Sequence, residues 1–151
     1  YVDENILACP VLGARRNEVY TALYAGRPTA AGWTRPEQLW PPQAVSPADL
    51  AVKLAATLVE GQRAVLTGDA AELIYADMQA ALGARIILAL PERRCFNASA
   101  CALLAEERFK ADPGQATLPA EVSAFYLRAS EAERNRLARL AAEKEQADAH
   151  A

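Results

Sequence analysis

The chain opens with an apolar run, Ile6 to Leu12, then a polar turn, Gly13 to Asn17, then an alternating stretch from Glu18 to Tyr24. In that stretch Val19, Thr21 and Leu23 share one face, and Tyr20, Ala22 and Tyr24 share the other. A two-residue period carried by β-branched and aromatic residues predicts a strand, and two such runs across a short turn predict a hairpin. "AGRP" closes the second strand, and a weaker third strand fits Gly32 to Arg35. The proline-rich "PEQLWPPQAVSP" cannot be regular structure throughout, because proline removes an amide donor and fixes its own φ.

From Ser46 the period lengthens. Ser46 is a helix cap, Pro47 fits the first helical position and Asp49 the first turn. Leu50, Leu54, Ala55, Leu58 and Val59 then share a face, and Gly61 is expected to end the helix. Ala64 to Thr67 predicts a short strand. Gly68 and Asp69 turn the chain into a second helix with Leu73, Ile74, Met78, Ala81 and Leu82 inward, stopped by Gly83. Arg85 to Leu90 predicts another strand. Asn97 or Ser99 caps a third helix, Ala98 to Lys110, whose inner face is Cys101, Leu104, Ala105 and Phe109. "ADPGQ" breaks it.

Three strands followed by helix–strand alternation predict an α/β domain, a mixed five-stranded sheet with flanking helices, over residues 1–128. This order resembles the ribonuclease H-like fold, which actin-like and sugar-kinase-like proteins use twice across a cleft. The chain has no internal repeat, so one copy is expected. The rest, 129–151, is a helical tail. Glu121 to Leu127 reads as extended, Ser130 and Glu133 as a capping box, and the helix to about Gln146 holds only Leu137 and Leu140 as large apolar residues. It reads as a solvated arm or as a helix that docks on something else.

Composition narrows the function classes. Apolar residues make up 52% of the 151, enough for a core without staples. The net charge is −3 and the isoelectric point about 5.2, which argues against holding nucleic acid alone. Three cysteines, Cys9, Cys95 and Cys101, without CxxC spacing fit buried or half-buried thiols in a reducing cytoplasm. Apolar runs such as "IILAL" are too short to span a membrane. The first residue is not Met, and a segment ahead of Tyr1 is expected.

Chemistry is sparse. Neither GxxxxGK[ST] nor GxGxxG is present. His150 is the one histidine, so neither a metal site nor a Cys–His nucleophile is expected in the folded part. "TGDAAELIY" puts Gly68 and Asp69 at a helix start, where backbone amides can bind an anion, although Asp69 as a plain helix cap is the preferred reading. Arg15, Arg16 and Glu18 form either a surface ion-pair cluster, which composition favours, or a partner-recognition loop.

Three segments carry a resemblance. "VLGARRNEVYTALY" resembles the "DARRGEVY"-type segment of the bacterial TsaB family of tRNA threonylcarbamoyladenosine biosynthesis proteins. "VLTGDAA" is similar to that family's Val-Gly-Asp-Gly-Ala turn, and "FYLRASEAE" to its closing Tyr-Leu-Arg segment. Their order agrees from about Val11 to Glu133. The family is often labelled glycoprotease-like, and this chain resembles its second half. The resemblance implies a non-catalytic cytoplasmic subunit without a cofactor. It supports the catalytic paralogue TsaD together with the ATPase TsaE, and meets tRNA only through the complex. Arg15, Arg16, Glu18, Tyr20, Tyr126 and Arg128 are the partner-binding candidates, and Gly68 and Asp69 the weak ligand-binding ones. Gly13 departs from the family, which commonly has Asp there. A metallopeptidase and the nucleotide-binding half of a kinase-like protein are the alternatives. A homodimer is expected of this half alone, since it would expose a former interdomain face.

Overall fold

The computed structural model describes residues 5–15, 17–28, 34–115, 121–125, 127, 136 and 139–140. The chain divides into two compact units, Tyr1–Pro119 and Ala120–Ala151. In the first, the elements run β1 (Ile6–Gly13), β2 (Val19–Pro28), β3 (Thr34–Val45), α1 (Pro47–Thr57), β4 (Arg63–Thr67), α2 (Ala71–Leu82), β5 (Ile86–Leu88) and α3 (Ala98–Ala111). The strands form one open sheet in the order β3-β2-β1-β4-β5. The β1–β2 and β2–β3 pairs are antiparallel, while β1–β4 and β4–β5 are parallel. The expected mixed five-stranded α/β architecture is present.

One face of the sheet carries the core. Leu7, Cys9 and Val11 of β1 alternate inward and meet Val19, Leu23, Ala64, Leu66 and Ile86. Leu50, Leu54 and Leu58, from α1 and its cap, and Ile74 and Met78 of α2 close over them. Each such leucine contributes about 1.5–3 kcal/mol of burial.

Several expectations are corrected. The proline-rich segment is a strand: β3 runs twelve residues through Pro36, Pro41 and Pro42. It is an edge strand, where a missing donor is tolerated, and its pairing with β2 shifts register on either side of Leu23. Lys53 of α1 fastens it, donating to Gln43 Oε1 and lying 5.3 Å from the Trp40 ring centroid. Helix α1 stops at Thr57, before Gly61, because Leu58 turns extended. Ala55 and Val59 point outward, as do Leu73 and Ala81 of α2. Strand β5 is only three residues, since Arg85 belongs to a 3-10 turn. Asn97, not Ser99, caps α3, accepting from the Ala100 amide at 3.1 Å. The helix itself buries no residue, and its expected inner face, Cys101, Leu104, Ala105 and Phe109, is exposed apart from the half-buried Leu104. Of the tail, residues 122–125 belong to no helix or strand, and Ser130 and Glu133 lie outside the described residues.

Candidate functional site

The two segments singled out by sequence meet at one end of the sheet. Parallel pairing of β1 with β4 aligns their carboxyl ends, Gly13 and Thr67, and ligand sites of open α/β sheets favour such ends. The β1–β2 loop reverses over five residues, closed by the Ala14 amide donating to the Glu18 carbonyl at 3.2 Å. Asn17 completes the reversal at φ 57°, a conformation asparagine accepts more readily than most residues.

Gly68 follows β4 at φ 101°. A Cβ there would sit 2.3 Å from the Val11 carbonyl oxygen, so the turn lies directly on the backbone of β1. That same carbonyl accepts from the Ala70 amide at 3.2 Å. Asp69 reaches across, and its Oδ1 accepts from the Gly13 amide at 2.9 Å. The preferred helix-cap reading of Asp69 is therefore corrected. The cap residue of α2 is Ala70, with no side-chain cap bond, and the Asp69 carboxylate ties the end of β1 to the end of β4 instead.

The exit from β5 is sewn to the same end. Thr67 Oγ1 donates to the Arg93 carbonyl at 2.7 Å. Arg94 Nε donates to the Ala89 carbonyl at 2.7 Å, and its Nη1 lies 2.6 Å from Glu72 Oε2 in the first turn of α2. Sequence reasoning missed Thr67, Glu72 and Arg94. Thr67 and Glu72 lie within "TGDAAELIY" but were not singled out there, and only the parallel β4–β5 pairing brings Arg94 to them.

Of the partner candidates, Arg15 is exposed in the hairpin loop, Glu18 is half-buried at its far end, and Tyr20 is half-buried on β2 opposite Leu12 and Ala44. Arg16, Tyr126 and Arg128 lie outside the described residues. Gly13 has open space around its Cβ direction, so a carboxylate-bearing residue would fit there without steric cost.

The thiols divide. Cys9 is fully buried, with Sγ 3.3 Å from Thr21 Oγ1, and burial pushes its pKa up to about 11. It is an unreactive core thiol. Cys95 and Cys101 are exposed, against the expectation of buried or half-buried thiols, because the elements that carry them are not packed into the core. Among the described residues no three His, Cys, Asp or Glu side chains converge as a metal site requires, and no helix is long and apolar enough to cross a membrane. A shallow cavity of about 460 Å³ lies at the opposite end of the sheet, between the α1–β4 turn and Arg85. At the candidate end Asp69, Thr67 and Arg94 are bonded to backbone groups of neighbouring segments, and Arg94 also to Glu72, an arrangement suited to holding loops in place. No protein-family model matches the chain, and no curated protein matches it.

Proposed function

We propose that this chain is the ribonuclease H-like second half of a TsaB-family protein, a non-catalytic cytoplasmic subunit in the transfer of a threonylcarbamoyl group onto a tRNA adenosine. In this reading it supports the paralogue TsaD, works with the ATPase TsaE, and meets tRNA only through the complex. The observation that carries the reading is the ordered set "VLGARRNEVYTALY", "VLTGDAA" and "FYLRASEAE". The strand order β3-β2-β1-β4-β5, with β1 antiparallel to β2 and parallel to β4, supports it. So does the meeting of the first two segments through Gly13 and Asp69. Arg15, Arg16, Glu18, Tyr20, Tyr126 and Arg128 remain the proposed contacts.

The test is reconstitution with the longer protein that this reading implies, incubated with the paralogue, the ATPase, ATP, threonylcarbamoyl-adenylate and unmodified tRNA. Modified adenosine should form only when the protein is present, and the protein alone should form none. Modification that proceeds equally without it, together with no binding to the paralogue, would sink the assignment.

A further inference from the structure

The starts of β4 and β5 lie side by side, with Ala64 opposite Ile86 in the parallel pair. One residue before each stands an arginine, Arg63 and Arg85, and both line the cavity at this end of the sheet. Two guanidinium groups that face one space repel each other unless an anion lies between them. Arg85 is half-buried and donates from Nη2 to the Leu58 carbonyl, which fixes the group while leaving it further donors. Glu60 lines the same cavity. Among the described residues neither Glu60 nor Arg63 has an ion-pair partner, and Arg85 meets no carboxylate. The cavity thus holds two cations and one anion that are not spent on one another.

Its walls are set. The turn that carries Glu60 is closed twice: the Gln62 amide donates to the Val59 carbonyl at 3.1 Å, and the Val59 amide donates to Gln62 Oε1 at 3.2 Å. Gly61 completes the turn at φ 79°, with open space where a side chain would stand. Leu58 and Ala84 add apolar lining. The volume of about 460 Å³ falls within the range of small-molecule pockets, about 300–1,000 Å³.

From this we infer that the cavity binds a free α-amino acid with a branched aliphatic side chain. Its carboxylate lies between Arg63 and Arg85, its ammonium group meets Glu60, and its side chain lies along Leu58 and Ala84. A simple carboxylic acid would satisfy the arginines and be repelled by Glu60, and a simple amine would meet the reverse. A zwitterion answers both signs at once. The inference rests on this cavity alone and stands or falls independently of the proposed role in tRNA modification.

Backbone-amide NMR titration of the full chain tests it, with L-leucine, isocaproate (leucine without its ammonium group), isoamylamine (leucine without its carboxylate) and inorganic phosphate as probes. Leucine should shift the amides of Gly61, Gln62, Arg63 and Ala84 saturably. Each of the other three should bind at least about tenfold more weakly, the worth of one charge-assisted contact. Glu60→Gln should bring leucine down to the level of isocaproate without weakening isocaproate. Arg63→Gln should weaken both. Both positions are exposed, so neither variant disturbs the core. No saturable shift with leucine, equal binding of leucine and isocaproate, phosphate binding as tightly as leucine, or a Glu60→Gln variant that binds leucine unchanged would overturn it.

Discussion

Cys9 and Gly68 lie on either side of the same backbone, one inside the core and one against its rim. The Cys9 thiol keeps its proton in both states below pH about 9. Between about 9 and 11 the unfolded chain releases it while the folded chain holds it, so stability falls as pH rises through that window. Two pK units correspond to about 3 kcal/mol. Urea titrations at pH 8 and pH 11 should show that loss, and Cys9→Ala should remove this part of the slope whatever it costs in packing. Glycines make a sharper contrast. Gly68→Ala forces a Cβ into the Val11 carbonyl at 2.3 Å and should cost about 2–4 kcal/mol. Gly61→Ala, at φ 79° with nothing within 4 Å, should cost about 1 kcal/mol. Equal midpoints for the two variants in chemical denaturation would contradict this account. From sequence Gly68 reads as a turn glycine and a weak ligand-binding candidate, not as a point of contact with β1. The contact that makes it indispensable is made with a residue of another strand.

At the level of elements, local pattern was a good guide wherever local physics decides. The β1–β2 hairpin, the Ser46 cap and the Gly83 stop follow from alternation, hydroxyl capping and backbone freedom. Strand β3 was hidden because its prolines contradict strand propensity, and only its edge position, a tertiary fact, makes them acceptable. The inward faces of α1 and α2 were half legible: Leu50, Leu54, Ile74 and Met78 follow the helical period, but the outward Val59 and Leu73 are just as apolar, and apolarity alone cannot say which stripe meets the sheet. α3 is the clearest miss. Its length read nearly correctly and its cap, Asn97, was one of two offered, yet Leu103 and Phe109 are exposed and nothing in the helix is buried. A helix held by its cap and its ends should open easily. Hydrogen exchange should therefore show amides 98–111 exchanging far faster than those of β1 and β4. Equal protection would mean that α3 is packed.

The molecule as a whole was legible in order and less so in assembly. Three strands, then helix and strand in alternation, predicted a mixed sheet, and the parallel pairing of β1 with β4 follows from the long α1 crossover between β3 and β4. The candidate end was half visible: both loops were marked, but the bond between Asp69 and Gly13 spans 56 residues and no spacing rule reaches it. Thr67, Glu72 and Arg94 have significance only once three strand ends lie side by side.

The borders of the sheet have a consequence for chains that meet. On one side β3 is interrupted by Pro36, Pro41 and Pro42, and on the other β5 offers only Ile86 to Leu88. A strand arriving from another molecule finds missing donors at the first border and barely one repeat of ladder at the second. Templated growth of the kind that builds fibrils has no place to start on either side. Crowded molecules of this protein gain little from meeting edge to edge along this sheet.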